Sequence, residues 1–207
     1  MSVQKKVSMS PAMVFLKKAD PLLATLFLLA KPTILRSSKN YFESLADAII
    51  SQQLSGKAAS TIIKRFKALF PQGKFPLPAQ VLAKSNEELR SVGVSGSKAS
   101  YIKNLATAFE EGALDFRQVN KKTDEEIIEM LVKVKGIGRW TAEMFLIFSL
   151  GRPDVFSFGD LGLRNAVKKL YGLRKDPSPK KLKQLSSRWQ PYRTTASLYL
   201  WASLDNR

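Results

Sequence analysis

The chain has 207 residues, 44% of them hydrophobic, enough to build one large domain or two small helical lobes around a shared cleft. Its 34 Lys and Arg against 17 Asp and Glu leave a net charge of +17, which a merely solvated surface does not need and which points to a polyanion partner, with anionic membrane as the rival. Cys and His are both absent, which excludes disulfides, thiolate zinc sites, cysteine-ligated iron–sulfur clusters, cysteine nucleophiles, His general bases and His-ligated metals, and leaves carboxylate, Lys, Tyr and water for acid–base work.

Residues 1–19 are assigned to a basic tail and residues 20–207 to the folded part. Asp20-Pro21 starts a helix, Asp as N-cap and Pro in the first turn. Leu22–Ala30 is apolar but lies between Asp20 and Lys31 and falls short of the roughly 18–20 residues that span a bilayer, so it reads as a buried helix. The N-terminus lacks a signal-peptide layout. Tyr41–Gln53 places Phe42, Leu45, Ala46, Ile49 and Ile50 at helical spacing. A helix from about Gly56 to Phe70 follows, then a loop from Pro71 to Pro78. Ser85-Asn86-Glu87-Glu88 has the capping-box pattern, Gly93–Gly96 breaks that helix, and Ser97 is expected to cap the next, which runs to Glu110. Thr123-Asp124-Glu125-Glu126 is a second capping box, and its helix ends at Gly136. Helices are predicted over Arg139–Leu150, from Asp160 through Tyr171, from Ser178-Pro179, and after Pro191. No stretch alternates convincingly like a strand, and no internal repeat is visible. The expectation is an all-α chain of about nine or ten helices.

The most informative stretch is Val134-Lys135-Gly136-Ile137-Gly138-Arg139-Trp140-Thr141-Ala142. Two glycines one residue apart let the backbone turn tightly and approach another molecule. The turn joins two helices, so it can offer backbone N–H groups at a helix N-terminus to a phosphate. A carboxylate follows in a second glycine-marked turn, Phe158-Gly159-Asp160-Leu161-Gly162. A phosphate grip and an acid in one short segment suggest chemistry on a nucleic acid. From residue statistics alone, Asp160 is a helix N-cap. The two roles are compatible, because a helix N-terminus stabilises an ionised carboxylate by up to about 1 kcal/mol.

Leu131 to Gly172 resembles the helix-hairpin-helix and Gly/Pro-rich-loop-plus-Asp unit of the base-excision DNA glycosylase superfamily. Gly136-Ile137-Gly138-Arg139-Trp140-Thr141-Ala142 with Asp160 is similar to its 3-methyladenine DNA glycosylase II branch. Ala48-Ile49-Ile50-Ser51-Gln52-Gln53-Leu54, Gly96-Ser97-Lys98-Ala99-Ser100-Tyr101-Ile102, Arg188-Trp189-Gln190-Pro191-Tyr192-Arg193 and Trp201 resemble further segments of that branch. The match covers roughly residues 20–204.

The resemblance implies two helical lobes around a DNA-binding cleft. It implies that the amides near Gly136 and Gly138 hold a DNA phosphate, with an alkali ion on hairpin carbonyls and no other cofactor. It implies that Leu54 enters the duplex where the damaged nucleotide has left the stack, and that Asp160 faces the anomeric carbon. Leu54 also reads as a core leucine at a helix end. In strand-cutting members a lysine stands where this chain has Trp140, so a monofunctional enzyme is expected. Trp140 and Trp201 can attract a positively charged alkylated purine through their faces, or serve as core. Met144, one turn after Trp140, stands where some relatives place an aromatic. Ser55 is smaller than the polar residue of related enzymes. Lys57 and Arg139 lie at turns near predicted DNA elements and are the phosphate candidates. The expected partner is duplex DNA with alkylated bases, met by a monomer, in the nucleus or a bacterial cytoplasm, with no membrane role. A DNA-binding paralogue with weak or no excision is the alternative, kept by Ser55 and Met144.

Overall fold

The computed structural model describes residues 10–32 and 38–205, and among these it is all-α, with thirteen α-helical segments. The chain starts a helix earlier than expected. The Met13 N–H donates to Ser10 Oγ (3.3 Å), Pro11 follows in the first turn, and α1 runs Pro11–Ala19. Residues 11–19 are therefore not tail. Met13 and Leu16, three apart, are buried, and Lys17 and Lys18 lie in the last turn where cations suit the helix dipole. Residues 1–9 of the expected tail lie outside the described residues. Asp20 caps α2 (Pro21–Ala24), and α3 (Leu26–Leu29) continues after Thr25; the apolar run is thus helical but in two short pieces, and it is not a buried helix, since Leu23 and Leu26 are buried while Leu22, Leu28 and Leu29 are exposed.

Next come α4 (Tyr41–Ser51), α5 (Gly56–Ala68), α6 (Pro78–Leu82), α7 (Asn86–Ser91), α8 (Gly96–Glu110), α9 (Asp124–Val132) and α10 (Arg139–Phe148). The last three are α11 (Leu161–Leu170), α12 (Pro179–Ser186) and α13 (Arg193–Asp205). The five apolar positions of α4 named by periodicity are all buried. Both capping boxes form, at Ser85/Glu88 and Thr123/Glu126. The cap of α8 is a correction: Ser95, not Ser97, accepts the Lys98 amide (3.3 Å), because Gly96 starts the helix rather than breaking it. The short α2, α3 and α6 raise the number of segments above nine or ten, since four or five residues give periodicity too little to register.

The chain divides into two compact units, one made of Met1–Leu35 and Gly151–Arg207, the other of Arg36–Leu150. In the discontinuous unit, Leu16 and Leu23 pack with Phe156, Leu163, Val167, Trp189 and Leu200. Each fully buried aliphatic side chain there contributes roughly 1.5–3 kcal/mol by leaving water. Asp20 is at the centre: Oδ1 accepts the Leu23 amide (3.1 Å), and Oδ2 accepts Trp189 Nε1 (3.0 Å) and the Tyr171 hydroxyl. Burial and the adjacent Asp20 carboxylate push the Tyr171 hydroxyl well above its ordinary pKa. In the continuous unit the core is Leu45, Ile49, Ile50, Phe66, Leu89, Ile102, Leu105, Ile127, Leu131 and Leu146, all with no exposure.

Candidate functional site

In the continuous unit, the turn between α9 and α10 needs its two glycines for different reasons. Gly136 has φ +110°, and a Cβ there would collide with the Tyr101 side chain. Both backbone and space forbid a side chain. Gly138 has φ −89° and ψ 170°, ordinary extended backbone, and nothing lies within 4 Å of where its Cβ would be. Its bareness satisfies no internal requirement, but it leaves the start of α10 open to a close approach from outside. Gly138 also supplies no side-chain cap, whereas α4, α5, α8, α9 and α11 all begin under one.

Three polar contacts brace this hairpin. Gln52 Nε2 donates to Gly136 O (3.3 Å) and Thr141 Oγ1 (3.2 Å), and Asn104 Nδ2 donates to Lys135 O (3.2 Å). Lys98 Nζ donates to Ile50 O (2.8 Å) and Gln52 O (2.7 Å), closing the C-terminus of α4 with a positive charge. Partial burial lowers the Lys98 pKa. Gln53 then adopts φ +59°, which turns the chain outward at Leu54, 37% exposed. Leu54 is therefore not a core leucine. Gln52, Asn104, Lys98 and Tyr101 were missed as site-forming residues. Their partners lie 31 to 89 positions away, and only the resemblance of segments 48–54 and 96–102 draws attention to Gln52, Lys98 and Tyr101.

Ser55 caps α5, its Oγ accepting the Ala58 amide (3.4 Å). Lys57, in the first turn of α5, is exposed. Arg139 is engaged within the unit: its Nη1 and Nη2 each donate to Glu125 (2.7 Å), and its Nε to Glu143 (3.2 Å). That fork raises the Arg139 pKa and lowers the Glu125 pKa. Arg139 is thus held by two carboxylates in this structure, and a phosphate would have to compete with Glu125 for its guanidinium. Trp140 is 41% exposed in the first turn of α10, with half-buried Met144 one turn later.

In the discontinuous unit, Asp160 caps α11 and is only 8% exposed. Its Oδ1 accepts the Leu163 amide (2.7 Å) and Trp201 Nε1 (2.9 Å). Gly162 makes room for this: a Cβ there would lie 3.1 Å from Asp160 Oδ1 and 3.2 Å from Trp201 Cδ1. The cap reading of Asp160 is correct, and the structure brings Trp201 to it through its indole N–H. Such an assembly presents a fixed, mostly dehydrated anion. Its chemical use is to stabilise positive charge or to orient a water.

A family model described as HhH-GPD superfamily base excision DNA repair protein matches residues 46–191. DNA-3-methyladenine glycosylase 1 of Schizosaccharomyces pombe is 39% identical over 172 residues, 83% of this chain and 75% of that protein. The alkylbase DNA glycosidase-like protein mag2 of the same organism is 36% identical over 162 residues, 77% of this chain and 76% of that one. Among solved structures, the Schizosaccharomyces pombe 3-methyladenine DNA glycosylase in complex with abasic DNA gives a TM-score of 0.85 at 36% identity, covering 95% of this chain and 97% of that chain.

Proposed function

Because this chain belongs to the HhH-GPD superfamily of base excision DNA repair proteins, we propose that it is a monofunctional DNA glycosylase. It hydrolyses the N-glycosidic bond of alkylated purines, of the 3-methyladenine and 7-methylguanine type, in duplex DNA and leaves an abasic site. The observation that carries this reading is the Asp160 carboxylate, nearly buried and fixed by two donors on Oδ1.

Cleavage of an N-glycosidic bond builds oxocarbenium charge on the sugar. An anion already oriented and largely out of water stabilises that charge without reorganising. Asp160 also holds or deprotonates the attacking water. A cationic alkylated purine is a good leaving group, so the departing base needs little help from an acid, in keeping with a chain that has no His. Trp140 stands where strand-cutting members have a lysine; it offers no amine for a Schiff base, and water completes the reaction. Its exposed face attracts the cationic base by roughly 0.5–2 kcal/mol, with Met144 beside it.

The amides of the Gly136–Gly138 turn, left open to approach at Gly138, hold a phosphate of the lesion strand. Lys57 adds charge nearby, and Arg139 does so once Glu125 releases it. Leu54, turned outward, fills the gap left by the extruded nucleotide, offsetting part of an unstacking cost of a few kcal/mol. An alkali ion on hairpin backbone carbonyls, which are neutral oxygens of the kind such ions take, would lend positive charge to the bound phosphate. The protein acts as a monomer. No helix among the described residues is long and apolar enough to cross a membrane. The compartment we favour is the nucleus.

Asp160→Asn tests the reading on methylated duplex DNA. Free 3-methyladenine from the parent, and its loss by about 100-fold or more in the variant with abasic-DNA affinity retained, is the expected outcome. DNA binding without base release by the parent would leave only the binding-paralogue reading.

A further inference from the structure

We propose that Trp201 is a positioning residue for the acid, acting on Asp160 through its indole N–H, and that Gly162 exists to let it do so. The inference rests on Asp160 being the catalytic group. It departs from the expectation that Trp201 serves as an aromatic face for the base.

The two roles make different demands on the ring. A face that stacks on a cationic purine needs π surface, which Phe also supplies. An orienting partner needs a donor at one point, and Trp carries a single donor, Nε1. Here Nε1 lies 2.9 Å from Asp160 Oδ1, a charge-assisted contact of normal length. The Leu163 amide reaches the same oxygen at 2.7 Å. One donor alone leaves a carboxyl free to turn about Cβ–Cγ. Two donors converging on Oδ1 from different elements, the first turn of α11 and the middle of α13, fix the plane of the group.

The approach is tight. A Cβ on residue 162 would lie 3.1 Å from Oδ1, 3.2 Å from Trp201 Cδ1 and 3.3 Å from Nε1, closer than ordinary van der Waals contact. Gly162 sits inside α11, where Gly costs about 1 kcal/mol of helix stability relative to Ala. Its backbone does not call for positive φ, so local conformation does not explain it. The close passage of the indole does.

The test is a double-mutant cycle on single-turnover release of methylated base, with thermal melting and abasic-DNA affinity measured on every variant. Trp201→Phe keeps the face and removes the donor. We expect its release rate to fall by about 10- to 100-fold, the worth of a hydrogen bond to a charged group, with abasic-DNA affinity within about twofold of the parent. In the Asp160→Asn background the same change should cost less than about twofold, because a positioning residue acts through the group it positions. Gly162→Ala, which removes no polar group, should also slow release while raising or preserving helix stability. Three results overturn the proposal: parental rate in Trp201→Phe, an equal loss from Trp201→Phe in both backgrounds, or unimpaired release by Gly162→Ala. If Asp160→Asn itself releases base at the parental rate, what fails is the reading of Asp160 as the acid, and the cycle shows that separately.

Discussion

At the scale of single residues, two carboxylates show how much surroundings decide. Asp160 has two donors on one oxygen, whereas Asp47, on α4, has a buried Oδ1 that accepts no protein hydrogen bond. Burial raises the Asp47 pKa to about 6, opposed by Lys67 and helped by Glu43. In the unfolded chain an Asp releases its proton near 3.8, so between that pH and about 6 the folded state binds more proton. Stability therefore falls as pH rises through this window and stays lower above it. Asp47→Asn should raise stability at pH 7.5 by about 1–2 kcal/mol, a figure reduced for the group's partial exposure. The gain should vanish below pH 4, where both residues are neutral. Melting curves at the two pH values check this; an equal gain at both would remove burial of the charge as the cause.

At the scale of elements, the turn into α10 has a near-copy that the bare sequence hides. Gly93, Val94 and Ser95 lead into α8 with φ +97°, a side chain 3% exposed, and an extended cap; Gly136, Ile137 and Gly138 lead into α10 with φ +110°, a side chain 4% exposed, and an extended cap. The third position separates them, since Ser95 caps its own helix and Gly138 does not. Gly138→Ser should therefore stabilise the protein by about 0.5–1 kcal/mol, because its backbone and the open space admit the capping rotamer. The same hydroxyl would take the amides offered to phosphate, so affinity for abasic DNA should drop several-fold. Melting and fluorescence anisotropy on one variant read both, and a gain in both stability and affinity would contradict the account.

The same scale explains what the sequence revealed. The caps at Asp20, Ser85, Thr123 and Asp160 are legible because a Pro, a capping box or a glycine-marked turn stands beside each, whereas Ser95, whose amide partner is also three residues on, has no such mark. The helix α1 was not, because lysines beside Met13 and Leu16 resemble a tail until the buried stripe is seen. The bonds from Trp201 to Asp160 and from Gln52 to Gly136 span 41 and 84 positions and follow no local rule. The position of Arg139 at a turn near a predicted DNA element marks it as a phosphate candidate, but its bond to Glu125, 14 positions away across the turn, follows no local rule.

At the scale of the whole molecule, a charge of +17 implies binding dominated by counterion release. Affinity for undamaged duplex should fall by about tenfold or more between 50 and 200 mM salt. A flat titration by anisotropy would remove electrostatics as the main source of DNA affinity. The division of the chain adds an order in time. Arg36–Leu150 is continuous, while the other unit waits for Gly151–Arg207 to join α1, α2 and α3. During translation the α9–α10 hairpin leaves the ribosome well before α13, and Asp160 emerges without the indole that donates to it. A nascent chain stalled in between carries the Gly136–Gly138 turn without the Trp201–Asp160 bond, so on the proposed reading the grip on DNA is in place before the acid is oriented.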